Sequence, residues 1–182
     1  MRIHPFVLFV DRLDTNIDTK VKLVEMASAI THAHKRSKIA CGIYAFVLWE
    51  LFKNPSKDSV LIGLEKARAY YWSRKDCAEE FDKHYSRLFN KVILRNCSRD
   101  DIKSSGYVVD TLEAAIWCLL NTKGYRDCVL TAVNLGDDAD TVGAIAGSLA
   151  GAMYGYDRIP KEWKQQLLRK DYILQLCKDA FE

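Results

Sequence analysis

Residues 134–155, NLGDDADTVGAIAGSLAGAMYG, join a short acidic cluster to a helix that is stable only when buried. Asp138, Asp140 and Thr141 place two carboxylates and a hydroxyl where loop turns into helix, and Gly136 before them admits backbone conformations that other residues resist. All three side chains offer oxygen. Oxygen donors suit Mg2+, Mn2+ or Ca2+, whereas zinc recruits Cys or His, and this stretch has neither. Octahedral Mg2+ needs more donors than these, so water, substrate or distant protein groups must complete its shell. N-capping is the other reading, in which an Asp or Thr at a helix start satisfies orphan amides and needs no ion. The stretch itself leaves both open.

After the cluster, Gly143, Gly147, Gly151 and Gly155 recur at four-residue spacing with Ala144, Ala146, Ser148, Ala150 and Ala152 between them. The result is a helix face almost without side chains. Each interior glycine costs about 0.8–1 kcal/mol relative to alanine, roughly 3–4 kcal/mol for the set, and close packing must offset it. The helix is therefore expected to be central and buried. A membrane span is excluded, because the uncharged run ends after Tyr156 and has too many glycines and too few large apolar side chains.

Hydrophobic period elsewhere is helical. A helix over 20–30, capped by Thr19 or Asp18, carries Val21, Val24, Ala27 and Ile30 on one face. Residues 39–52 form a second, strongly apolar helix; Asp58 or Ser59 opens a third with Leu61, Leu64 and Ala67; and 79–91 is amphipathic. Asp110 with Glu113 reads as a capping box opening a helix over 111–120. Gly124 precedes another reaching Asn134, and Pro160 suits the first turn of a further one. No alternating strand pattern or repeat competes. The expectation is all-α, one compact orthogonal multi-helix globule over residues 1–182.

Composition narrows the function classes. Twenty-seven basic and 24 acidic residues give a net charge of +3, too balanced for a nucleic-acid binder with its concentrated basic face. Six cysteines without CxxC or metal spacing predict reduced thiols in a cytoplasmic protein. The apolar run FVLFV is short and followed at once by Asp11 and Arg12, so it is no signal peptide. Two loops hold candidates. THAHKRS, residues 31–37, contains His32 and His34 but no third metal ligand at a recognisable spacing. Ser105, Gly106 and Tyr107 precede the helix at Asp110, where free amides can hold an anion and an aromatic ring can stack on a base or anchor in the core.

The string LGDDADTVGAIAGSLAGAMYG resembles the C-terminal signature of the ADP-ribosylglycohydrolase family. MRIHP at the start, THAHKRSKIACGIY in the middle and SSGYVVDTLEAAIWCLL before the signature resemble family segments in the family's order. Residues 72–99 are the least characteristic. The resemblance implies that Asp138, Asp140 and Thr141 ligate one of two Mg2+ ions, with Mn2+ as an alternative. It implies that His32 borders an ADP-ribose cleft, and that Ser105, Gly106 and Tyr107 lie near the adenosine end. The activity implied is hydrolysis of the bond between ADP-ribose and a modified protein side chain, so the partners are ADP-ribose or an ADP-ribosylated protein, without nucleic acid or membrane. The family's Gly-Asp-rich opening helix and its Thr-Asp-Asp-Thr-like element are absent, so no catalytic acid is assigned. Met1 resembles an internal methionine, and the chain resembles the C-terminal part of the fold without its N-terminal helices. The expectation is that it needs a complementing N-terminal polypeptide or self-associates; a catalytically inactive ADP-ribose-binding or protein-interaction module of the same fold is the alternative.

Overall fold

The computed structural model describes residues 3–181; Met1 and Arg2 of the MRIHP segment lie outside them. Among the described residues the regular structure is helical, with no strand. The chain folds as α1 (Ile3–Asp11), α2 (Ile17–Ala29), α3 (Lys35–Lys53), α4 (Lys57–Ser73), α5 (Ala78–Tyr85), α6 (Lys91–Asn96), α7 (Val108–Asn121), α8 (Tyr125–Val133), α9 (Ala139–Tyr154), α10 (Lys161–Gln166) and α11 (Lys170–Phe181), with short 3-10 turns between some of them.

The most enclosed element is α3. From Ile39 to Leu51 nearly every side chain is buried, with Ile39, Ile43, Val47 and Leu48 at 0% exposure. Burying one such side chain contributes about 1.5–3 kcal/mol, so this helix anchors the core on all sides. Its most extensive neighbour is α4, and the reason is glycine. A Cβ on Gly63 would lie 2.6 Å from Val47 Cα and 2.8 Å from Phe46 O, so only a residue without a side chain lets the two backbones approach this closely.

The glycine-rich helix, α9, packs chiefly on α8 and α7 and less on α3. Its stripe faces α8, and the contact opens along the helix. A Cβ at Gly143 would meet Val133 Cγ1 at 2.8 Å, at Gly147 it would meet Tyr125 and Val129 at 3.5 Å, and at Gly155 nothing. Central burial belongs to α3, while α9 buries one face through Val142, Ala146, Leu149, Ala150 and Met153.

Several helix starts differ from the sequence reading because another side chain wins the cap. Asn16 accepts from Thr19 N at 2.9 Å and starts α2, leaving Asp18 and Thr19 in its first turn. His34 Nδ1 accepts from Arg36 N at 3.2 Å, so α3 begins inside the expected 31–37 loop. Ser56, not Asp58 or Ser59, caps α4. The amphipathic stretch 79–91 breaks at Tyr85 into a 3-10 turn, Ser86–Phe89. The capping box fails: α7 starts at Val108, Asp110 receives the Ser105 hydroxyl at 2.8 Å, and Glu113 pairs with Arg87 at 2.7 Å. Pro160 stands just before α10 at its cap. The N-terminal apolar run, given no element from sequence, forms α1, which buries Ile3, Val7 and Val10 against α2 and α3.

Candidate functional site

The turn before α9 is built by two residues with positive φ, Gly136 (φ 90°) and Asp137 (φ 48°). They swing the chain so that Asp138 enters the helix with φ −87° and ψ 57°. Asp138 stands at the N-cap position, yet its side chain accepts no bond from the helix amides. Its Oδ1 instead receives the Thr141 hydroxyl at 2.8 Å, and its backbone N–H donates to Ser104 O at 3.1 Å. Capping therefore does not account for this carboxylate.

The remaining oxygen, Oδ2, is set against the loop before α7, where a Cβ on Gly106 would lie 3.1 Å away. Gly106 lets the loop backbone approach an acidic group that a larger residue would displace. The loop is tied down locally: Tyr107 N donates to Ser105 Oγ at 3.2 Å, and the buried Thr111 hydroxyl donates to the carbonyls of Ser105 and Tyr107 at 3.0 Å each.

These elements wall a cleft of 330 Å³. One side is the end of α2 and the turn after it, with Ala27, Ser28, Thr31 and His32; the second is the start of α3, with Ser37 and Cys41; the third is Gly106, Val108 and Thr111; the fourth is Asp138, Thr141 and Ile145 of α9. Ile3 of α1 closes the apolar end. Burial pushes the Cys41 thiol up, so it is a neutral wall and not a thiolate nucleophile. A larger groove of 490 Å³ runs between α4 and the Ser86–Phe89 turn, but it is more open and holds none of the residues picked out by sequence. Chemistry, not size, identifies the candidate site.

The structure brings Asp138, Thr141, Gly106 and His32 to one cleft. His32 is exposed at the rim, with Nδ1 3.0 Å from Thr31 Oγ1. Asp140 is exposed in the first turn of α9 and does not line the cleft; neither do Ser105, whose hydroxyl is held by Asp110, and Tyr107, whose hydroxyl points to Arg36 and His84. His34 serves as a helix cap. Sequence reasoning missed Ser28, Ser37, Cys41 and Thr111. Their only signal was adjacency to His32 or to the loop at Gly106.

A hard cation fits the donor type here, since Asp138 and Thr141 present oxygens, with Asp140 in the same helical turn. The number of donors is small. Among the described residues no three His, Cys, Asp or Glu side chains cluster as a ready cage, and Asp138 is the one acidic residue lining the cleft. Such a site holds one face of an ion and leaves the other to water, substrate or further protein groups.

The chain matches the ADP-ribosylglycohydrolase family over residues 1–182 and belongs to it. It is 39% identical over 160 residues to the ADP-ribosylarginine hydrolase Tri1 of Serratia proteamaculans, a match covering 85% of this chain and 38% of that protein. It is 46% identical over 65 residues to the ADP-ribosyl-[dinitrogen reductase] glycohydrolase of Rhodospirillum rubrum, covering 36% and 22% respectively. A solved ADP-ribosylglycohydrolase-related protein complex superimposes with a TM-score of 0.75 at 28% identity, covering 89% of this chain and 52% of that one. The chain thus spans about half the length of that solved relative or less of the others.

Proposed function

We propose that this chain provides the C-terminal wall of a Mg2+-dependent hydrolase that cleaves the bond between ADP-ribose and a modified protein side chain. The observation that carries the reading is the Asp138 carboxylate, turned away from capping and into the cleft beside the Thr141 hydroxyl. Asp138, Asp140 and Thr141 would hold the ion, with Mn2+ able to replace Mg2+. A bound divalent ion supplies positive charge that polarises a ribose hydroxyl and lowers the pKa of a water. The chain's own residues position the ligand. Ser28, Thr31 and His32 offer hydrogen bonds along one wall, Gly106 admits the ligand's close approach to Asp138, and Ile3 and Ile145 exclude water from the apolar end. Ser105 and Tyr107 act from behind the wall, fixing the loop to which Gly106 belongs. With reduced thiols at all six cysteines, the cytoplasm is the expected setting.

These three side chains do not complete the reaction. Hydrolysis needs the attacking water and the ribose in one geometry, and a displacement of about 1 Å can cost roughly 10²-fold. We therefore place the remaining acidic ligands on groups beyond these 182 residues, either a further protein segment or a second polypeptide. The second reading, an inactive ADP-ribose-binding module, is favoured by the same observation of a single acidic residue lining the cleft. The test is release of labelled ADP-ribose from an arginine-linked substrate with Mg2+, by the chain alone and with an N-terminal segment of a longer relative added. No release alone and release on addition supports the first reading. Tight ADP-ribose binding without release in either case supports the second, and turnover by the chain alone, lost in Asp138→Ala, overturns the half-site argument.

A further inference from the structure

Behind the cleft loop lies a set of four polar side chains from three elements, none of which lines the cleft. Arg36, in the first turn of α3, pairs through Nε with Glu80 of α5. Arg36 Nη1 donates to the Tyr107 hydroxyl at 3.3 Å, with the guanidinium 5.9 Å from the centre of the Tyr107 ring. Tyr107 Oη lies 3.2 Å from Nδ1 of His84, one turn after Glu80 on α5. Among the described residues His84 Nε2 is buried without a hydrogen bond, and Glu80 Oε1 stands 3.4 Å from it. The four groups thus form a ring, three sides hydrogen-bonded and the fourth electrostatic.

Arg36 can only donate, so Tyr107 Oη accepts from it, while the direction of the Tyr107–His84 bond follows the imidazole tautomer. The guanidinium holds the Glu80 carboxyl below its ordinary range, which keeps the acceptor side charged. Tyr85 adds a second tie between α5 and α3, donating to Arg36 O at 2.7 Å. Tyr107 itself is 38% exposed and is no core anchor. A polar residue this exposed, held by two partners from two other helices, has its orientation set by the ring and not by packing.

Tyr107 is the residue next to Gly106, and Ser104, two residues before Gly106, accepts the Asp138 amide at 3.1 Å. The loop is thereby fastened at one end to the carboxylate wall and at the other to the ring. We propose that Arg36, Glu80 and His84 are positioning residues: through Tyr107 they hold the residue 104–107 loop in register with Asp138, and so set the affinity of the cleft for its ligand. The role as a ligand determinant rests on the ADP-ribose reading above; the role in ordering the loop does not.

The test uses the full chain with Glu80→Gln, Tyr107→Phe and the double variant. Glu80 does not line the cleft, so its effect cannot be a lost ligand contact. Hydrogen exchange is followed at the amides of residues 104–108 and of Asp138, and the Kd for ADP-ribose is measured by calorimetry with Mg2+. Each single variant is expected to speed exchange at these amides and to raise the Kd about 10-fold, about 1.4 kcal/mol. The double variant is expected to match the singles, because one opened ring cannot be opened twice, whereas independent structural losses would add. Arg36→Lys, which keeps the charge but lacks the fork, is expected to lose both exchange protection and affinity, and wild-type values of both in it would overturn the proposal. If wild type does not bind ADP-ribose, the proposed function falls and exchange alone decides the loop-ordering role. Unchanged exchange in Glu80→Gln overturns the proposal outright; faster exchange with an unchanged Kd overturns the ring as a determinant of affinity. A double variant whose losses sum overturns the ring as a unit.

Discussion

Gly63→Ala separates helix propensity from helix packing by sign. In an open helix the change would stabilise by roughly 0.8–1 kcal/mol, because alanine is the better helix former. Here the new methyl meets Val47 Cα at 2.6 Å, Phe46 O at 2.8 Å and Val47 N at 3.0 Å, and all three atoms are backbone. None can rotate away. Relief requires α3 and α4 to move apart by several tenths of an ångström along their most extensive contact. Overpacking of this kind costs about 1–3 kcal/mol or more, and the rigid backbone on the receiving side favours the upper part of that range. After subtracting the propensity gain, the net loss is about 1–2 kcal/mol. At about 2–4 °C per kcal/mol for a chain of this size, Tm should fall by roughly 2–8 °C. The assay is thermal and urea unfolding followed by far-UV circular dichroism, with Gly124→Ala as the control, since a Cβ there meets nothing within 4 Å. An unchanged or raised Tm for Gly63→Ala would refute the close α3–α4 approach.

Three other outcomes rest on named groups. Saturating Mg2+, at about ten times its Kd, should stabilise the wild type by roughly 1.4 kcal/mol, with the shift lost in Asp138→Ala and reduced in Asp140→Ala; equal shifts in all three proteins would remove the ion from this site. Burial holds the His4 imidazole, which bonds Tyr44 Oη at 2.7 Å, below its ordinary value of 6.5. The unfolded chain therefore protonates first, so stability is full above about pH 6.5 and is lost as pH falls toward the folded-state value. His4→Gln should have a shallower fall in urea midpoint between pH 7 and 5, and parallel curves would contradict this. Arg74→Met leaves the buried Glu25 carboxylate with the Tyr71 hydroxyl as its one remaining hydrogen-bond donor among the described residues and should cost on the order of 3 kcal/mol by urea unfolding. A cost near that of a surface pair, about 1 kcal/mol or less, would mean that water reaches Glu25.

Helix type was readable wherever a long apolar period existed, as over 39–52, because burial of one stripe is a sequence-local requirement. Helix starts were not. Asn16, Asp18 and Thr19 are all competent caps, and the choice falls on the one whose backbone is extended, a property set by the preceding turn. The Asp110 and Glu113 spacing fitted a capping box, yet each side chain has a better partner, Ser105 in one case and Arg87 in the other. The role of Gly63 was not readable, since nothing local announces the Val47 backbone across from it. The candidate site was legible where one segment supplies it, at Asp138 and Thr141. Ser28, Ser37 and Thr111 are ordinary residues in sequence and become cleft walls only when α2, α3 and α7 converge. Tyr107 was legible as a special residue, but its partners come from α3 and α5, one of them in the stretch with least family character.

The helix pairing has a kinetic consequence. Most packing joins helices adjacent along the chain, α1 to α2, α2 to α3, α3 to α4, and α7 with α8 and α9. Two groups can therefore form rapidly from local contacts, while the joint between them, α3 against α7 and α9, must wait for closure of the long intervening segment. The cleft takes its walls from both groups, so it is expected to assemble after the folding barrier. Trimming its wall, as in Ile145→Val, should then speed unfolding and leave refolding nearly unchanged in a denaturant chevron. A molecule seated in the cleft works as a clasp between two locally folded halves: it lengthens the lifetime of the folded chain without hastening its formation.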